Sequence, residues 1–237
     1  MKYDLDIVIP CYFEGQNIIS LLDALEKNVQ CHFKVLICYD EDEDDTLTII
    51  KNHQKYKYEI IFIKNQYIGL HGAVKTGFEK STSKNVMMMP ADDSSNSNII
   101  DQIVELHSKG AEVVCPSRFI KGGSVKGYPK IKYIIVRTAA FLLFFFALIP
   151  IHDATNGFRS FSRKVITKIP LESKVGGTYS IELLVKCHRL RWSIKELPSI
   201  WVERKAGNSK FKLWKWIPHY FIWFLYAFST TYLKKKK

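Results

Sequence analysis

The 237-residue chain is poor in several features, and each shortage argues against a class of protein. It has no CxxC pair: Cys11, Cys31, Cys38, Cys115 and Cys187 are scattered and odd in number. That argues against a disulfide framework or a structural zinc, and for a reducing compartment. Met1 leads into a polar, acidic, strand-like start, so no signal peptide is expected. No uncharged apolar run reaches the roughly 20 residues that a membrane span wants. Thr138–Ile151 has 14 residues and Ile217–Leu233 has 17, with His219 neutral. Repeats are missing, low complexity is confined to Lys234–Lys237, and acids thin out after the first hundred residues.

What is present points to one sizeable core. At 47% hydrophobic, the chain suits a single domain over residues 1–212 with an appendage at 213–237. The net charge of +12 suggests an anionic partner, with simple solubility as the bland alternative. The basic excess comes late and follows an aromatic stretch. That placement favours a membrane surface over nucleic acid. Residues 213–237 read as an aromatic, membrane-associating helix with a polylysine end, and spanning, surface attachment and a core helix all stay open. The expected location is the cytoplasmic face of a membrane, peripheral or through that single helix, and an oligomer is allowed.

Apolar runs closed by proline or acid read as buried strands: Leu5–Pro10, Phe33–Asp40, Glu59–Ile63, Asn85–Pro90 and Ala111–Ser117. Helical spacing lies between them at Asn17–Val29, Asp44–His53, Gly69–Lys80 and Ser97–Lys109. Such alternation predicts an α/β fold with a doubly wound, mostly parallel sheet. Ligands then bind outside the carboxyl ends of the strands, where Pro10, Asp40 and Asp92 should share one rim. Later, Lys121–Lys130 reads as a mobile loop with three glycines, and Tyr133–Ile151 as a buried or interfacial helix. A short strand is expected at NGFRSFS, an amphipathic helix at Thr178–Leu190 and one strand over Ser193–Arg204.

The stretch VMMMPADDSS (Val86–Ser95) ends an apolar strand in two carboxylates. A hard cation such as Mg²⁺ or Mn²⁺ takes oxygen ligands, one or two of them carboxylates, together with substrate phosphates. Asp92 suits that role, with Asp93 and Ser94 adjacent; helix capping is the competing reading. Asp40, at the head of YDEDEDDT, either receives a base or ribose donor or begins a turn.

IVIPCYFEGQNI, YDEDEDDT, GLHGAVKTGF, MMPADDSS, SRF, HDATNGFRSFSR and ELPSIWVERKAGNSK, in this order, resemble the family 2 inverting glycosyltransferases. They are most similar to the branch with dolichol-phosphate mannosyltransferase and bacterial polyprenyl-phosphate sugar transferases. The resemblance runs from Ile7 to Lys210 and implies a Rossmann-like GT-A-type fold. It also implies a nucleotide-diphospho sugar donor, a lipid-phosphate acceptor and a divalent metal. It places Pro10, Tyr12, Glu14, Asp40 and Gly72 at the nucleotide sugar, and Asp92 with Ser94 at the metal. It gives Arg118, Arg204 and Lys210 as phosphate clamps, and Asp153 and Glu182 as acids that serve either as a base or as structural bonds. Phe13 replaces the family's usual asparagine, Pro90 its first metal-binding acid and Ser94 a common glutamine. His71 and His152 read as loop residues. Three rival readings stand: transfer to a glycan hydroxyl, a nucleotidyltransferase that releases pyrophosphate, and a non-catalytic basic binder.

Overall fold

A computed structural model describes residues 3–202 and 213–232. The five apolar runs form β1 (Leu5–Cys11), β2 (Phe33–Tyr39), β3 (Glu59–Lys64), β4 (Asn85–Met88) and β5 (Val113–Ser117). Between them lie α1 (Gly15–Asn28), α2 (Asp45–Asn52), α3 (Gly69–Lys80) and α4 (Ile100–Ser108), the last entered through a 3-10 turn at Ser94–Ile99. After β5 come β6 (Ser124–Lys126), α5 (Lys130–Phe145), β7 (Arg159–Ser162), α6 (Arg163–Lys168), α7 (Thr178–Arg189), β8 (Ile194–Pro198), β9 (Ile200–Val202) and α8 (Leu213–Tyr232).

Among the described residues, seven strands form one sheet in the order β3-β2-β1-β4-β7-β5-β8, and only β7 runs antiparallel to its neighbours. β1, β4 and β5 are buried almost throughout, so apolar side chains on both faces are covered by helices. One core gathers α1 and α4 residues such as Leu21, Leu22 and Ile103 around Ile7, Ile9 and Met87. The other packs Val8, Val86 and Phe161 against Val74, Phe78 and Leu184. The strand order reverses between β1 and β4, which opens a crevice at the carboxyl rim. The register pairs Met88 with Arg159, so the start of β7 reaches the same rim.

Three expectations need correction. The Lys121–Lys130 segment is not all loop, because β6 pairs in parallel with β9 in a second, two-stranded sheet. Ser193–Arg204 is not one strand, because the chain leaves the main sheet at Ser199, whose N–H still bonds Ser117 O (2.8 Å). The helix α7 is buried from Thr178 through Val185 and is not merely amphipathic. The terminal helix α8 packs on α7, with Trp223 and Ala227 in the core. Gly176 makes room for it, since a Cβ there would lie 2.6 Å from the Trp216 ring. Among the described residues, no helix is long and apolar enough to cross a membrane.

Candidate active site

The carboxyl rim is assembled from loops whose bonds cross between strands. After β1, Phe13 adopts a positive φ of 55°, which is uncommon for a bulky residue. The next loop holds it there. Three successive amides, of Phe13, Glu14 and Gly15, donate to Asp44 Oδ2 (2.9 Å), Thr46 Oγ1 (2.9 Å) and Asp45 Oδ1 (3.3 Å). Asp44 also caps α2, its Oδ1 accepting from Thr46 N (2.9 Å). The acidic run after β2 therefore occupies the positive end of α1 with the protein's own side chains. Tyr12 lies exposed beside this loop, its hydroxyl 3.4 Å from Glu41, and Pro10 is half-buried below it. Glu14 occupies the N-cap position of α1 and accepts from Asn17 Nδ2 (2.7 Å).

Asp40 stands at the end of β2, and both its oxygens face the β3–α3 loop. Oδ1 accepts from Asn65 Nδ2 (2.6 Å) and Oδ2 from Gly69 N (3.2 Å). Gly72 does not reach outward; it lets the α3 backbone approach that loop, since a Cβ would lie 2.8 Å from Tyr67 Cβ. Across the crevice, a turn closed by Asp93 N and Pro90 O (3.1 Å) leaves Asp92 exposed at the rim. Asp93 turns inward and accepts from Asn96 Nδ2 (2.8 and 2.9 Å), and Asn96 in turn ties to Ile200. Burial pushes the Asp93 carboxyl up to about 7, with the Asp92 charge adding and Asn96 opposing. Ser94 opens the 3-10 turn beside it.

Among the described residues, no group of three or more His, Cys, Asp or Glu could hold a metal. The donors at the tip of β4 are oxygens only, with Asp92 exposed. Such a set fits a hard cation that keeps waters and draws further ligands from substrate phosphates, not a closed zinc cage.

Arg118, which the resemblance gives as a phosphate clamp, lies in a buried ion pair. It follows β5, is 6% exposed, and its guanidinium is committed to Asp153 (Nε–Oδ2 2.7 Å, NH2–Oδ1 2.8 Å) and to Thr155 Oγ1 (3.1 Å). Asp153 is fully buried and also accepts from Arg118 N (3.1 Å). Burial alone would raise the Asp153 pKa, but the Arg118 charge and bonds outweigh it and hold the carboxyl below its usual range. Glu182 is likewise fully buried, bonding the amides of Glu172 (2.7 Å) and Ser173 (2.8 Å) and Lys186 Nζ (2.6 Å). Of the two roles left open for Asp153 and Glu182, these contacts favour structural bonding. His71 is not a loop residue but a buried member of α3 bonded to Ser173 Oγ (2.9 Å), and burial lowers its pKa to about 4. His152 does lie in a loop, against Glu196 (2.9 Å). Arg204 and Lys210 lie outside the described residues.

Sequence reasoning did not reach Asn65, the Asp45 and Thr46 contacts, or Arg159. The last is fully buried and donates to Ser180 O (2.6 Å) and Asp153 O (3.2 Å). Most of these pairings join residues 20 or more apart in the chain, which no local pattern shows.

The profile of glycosyl transferase family 2 matches residues 6–169. The dolichol-phosphate mannosyltransferase of Pyrococcus furiosus is 24% identical over 211 residues, covering 88% of this chain. The chain spans 59% of that relative's length. The polyprenol monophosphomannose synthase of Mycolicibacterium smegmatis is 25% identical, over 86% of this chain and 79% of the relative. Among solved structures, glucosyl-3-phosphoglycerate synthase from Mycobacterium tuberculosis, in complex with uridine-diphosphate, superposes with a TM-score of 0.69 at 16% identity. That match covers 96% of this chain and 80% of the other. The same enzyme has been solved with Mn²⁺, UDP and glucosyl-3-phosphoglycerate, and there the TM-score is 0.64 at 15% identity, over 96% of this chain and 78% of the other.

The buried ion pair makes a stability prediction. Arg118→Met should cost about 3–5 kcal/mol, because it strands a buried carboxylate. Arg118→Met with Asp153→Leu should cost clearly less than the two single changes added. Urea unfolding measures all three variants, and strict additivity would show that the pair is not coupled.

Proposed function

The chain belongs to glycosyl transferase family 2, and from that membership we propose that it moves a sugar, with inversion, from a nucleotide-diphospho sugar to a polyprenyl-phosphate-type lipid. The observation that carries this reading is the crevice between β1 and β4, with Asp40 on one side and exposed Asp92 on the other. In a doubly wound sheet this switch point is where a nucleotide binds.

In this reading the nucleoside lies against Pro10 and Tyr12, and Asp40 accepts from its base or ribose. Asp92, with Ser94 beside it, holds Mg²⁺ or Mn²⁺. The bound metal would supply positive charge to the diphosphate leaving group. Motif position assigns Arg204 and Lys210 to the same phosphates, where guanidinium and ammonium groups stabilise charge as the sugar bond breaks. The amides of Phe13, Glu14 and Gly15 at the entry to α1 already bond Asp44, Thr46 and Asp45, which leaves the diphosphate to the metal and these cations.

The acceptor follows from what the acids do. A hydroxyl acceptor needs a general base, yet Asp153 and Glu182 are buried and engaged by Arg118, Lys186 and backbone amides. A phosphate monoester, with a second pKa of about 6, is already an anion at neutral pH and needs little such help. The names of the archaeal and mycobacterial relatives, which speak of dolichol phosphate and polyprenol, support the same acceptor class.

A lipid acceptor also suits the outer surface. Ile131, Ile134, Phe141, Phe145 and Phe146 lie about half exposed or more on and just beyond α5, as do Phe221, Ile222 and Leu225 on α8, which packs beside it. Lys130, Arg137 and Lys215 are exposed on the same helices. Aromatic and aliphatic side chains flanked by cations suit the headgroup region of an anionic leaflet, here the cytoplasmic one.

Two measurements test these readings. Thermal unfolding with uridine or guanosine diphosphate and Mn²⁺ should shift upward for the wild type, and much less for Asp92→Ala or without metal. A shift that needs neither Asp92 nor metal would contradict the proposed site. For the membrane, deleting residues 213–237 would take Trp223 and Ala227 out of the core and uncover the α7 face they cover, so point changes are the better probe. Phe141→Ser with Phe145→Ser should abolish flotation with phosphatidylglycerol-containing vesicles while unfolding stays unchanged. Flotation equal to wild type would rule α5 out as the contact.

A further inference from the structure

Asn65 is the first residue beyond β3, and its bonds are unusually complete. Its N–H continues the sheet by donating to Tyr39 O (2.7 Å), next to Asp40. Its side-chain amide can point only one way. Tyr67 N, which can only donate, gives to Asn65 Oδ1 (2.9 Å). Thr76 Oγ1 gives to the same oxygen (3.0 Å) while accepting from Gln66 N (3.1 Å). Nδ2 is thereby turned toward Asp40 Oδ1 (2.6 Å), with Gly69 O as its second acceptor (3.3 Å). Gly69, at φ 70°, brings its own N–H to the other Asp40 oxygen (3.2 Å). Gly72 closes the arrangement from behind: a Cβ there would stand 3.1 Å from both polar atoms of the Asn65 amide.

We propose that Asn65 is a positioning residue of the donor pocket: it fixes the orientation of the Asp40 carboxylate and so sets the affinity for the nucleoside of the donor. The inference rests on the donor site proposed above and goes beyond it, because Asn65 itself need not touch the nucleotide. A carboxylate at the end of a loop would otherwise sample several rotamers. Held on both oxygens, it presents its remaining lone pairs in one direction, so less ordering is left to be done on binding. Several charged groups nearby have partners of their own: Lys64 with Asp42, Lys75 with Glu79, Glu79 with the Tyr67 hydroxyl and Glu41 with the Tyr12 hydroxyl.

A purely structural asparagine would knit the loop without any consequence for donor affinity. The isosteric change Asn65→Asp separates the two roles. Ionised, the new carboxylate faces Asp40 in place of a donor, and two carboxylates that close cannot both stay charged comfortably. Protonated, the new side chain copies asparagine: its O–H donates to Asp40 and its carbonyl oxygen accepts from Tyr67 N and Thr76 Oγ1. Affinity should therefore fall at high pH and return as pH is lowered.

The test is titration of the full chain with uridine and guanosine diphosphate plus Mn²⁺ at about pH 8 and about pH 5.5, with thermal unfolding alongside. Loss of a hydrogen bond to a charged group predicts a dissociation constant raised roughly tenfold or more at the higher pH. The gap to wild type should narrow to about threefold or less at the lower pH, where the acid form restores the bond. Asn65→Ala, which cannot be rescued by a proton, should bind weakly at both. In turnover the loss should appear in KM and leave kcat unchanged. Wild-type affinity in Asn65→Asp at the higher pH, or an equal loss at both pH values, would overturn the positioning role. If Asn65→Asp does not fold, Asn65→Ala decides: a folded Asn65→Ala with wild-type affinity overturns it as well. Wild type that binds neither nucleotide would instead sink the donor site itself.

Discussion

The buried pair of Arg118 and Asp153 is the contact that ties the end of β5 to the entry of β7. Two charges taken out of water are tolerable only when they meet with good geometry, and here two side-chain bonds and the Arg118 amide converge on one carboxylate. The pair joins the end of β5 to the segment that leads into β7. Around it, Asn156 Nδ2 bonds Pro116 O (2.9 Å), and Arg159 bonds the Asp153 carbonyl. Strand β7 is the single antiparallel strand and sits between β4 and β5. Without the pair, its entry would have no fixed path. The same bonds turn the Arg118 Nε and the Asp153 carboxylate toward each other, inside the protein.

The donor half is built on another economy of charge. In many nucleotide-binding α/β folds, the helix after the first strand offers its free amides to phosphate. In this chain the side chains of Asp44, Asp45 and Thr46, at the entry to α2, take the amides of Phe13, Glu14 and Gly15 at the entry to α1. The acidic run in YDEDEDDT thus has a physical use: it holds Phe13 in its left-handed conformation and keeps the β1–α1 loop in place. Asn65 does the corresponding work for Asp40 from the β3 side.

Much of this was legible in the sequence, for reasons that can be named. Strands buried on both faces leave continuous apolar runs, so β1 to β5 were found within a few residues of their ends, and their alternation with helices announced the parallel sheet. Asp40 and Asp92 followed from the rule about strand ends. What stayed hidden depends on pairing across long stretches of chain. Nothing local says that β7 inserts between β4 and β5, or that the chain changes sheets at Ser199. A charge cannot show its partner: Arg118 and Asp153 looked like two separate functional residues because each was read alone. The helix α8 carries a mixed signal, since its aromatic content serves a core face at Trp223 and an exposed one at Phe221 and Ile222.

The central claim, sugar transfer to a lipid phosphate, is tested most directly by the products. The protein would be incubated with a nucleotide-diphospho sugar, Mn²⁺ and a short-chain polyprenyl phosphate, and the products resolved by NMR and mass spectrometry. The account predicts equal amounts of nucleoside diphosphate and a lipid-linked phosphosugar with inverted anomeric configuration. Release of pyrophosphate, retention of configuration, or turnover only with a hydroxyl acceptor would contradict it.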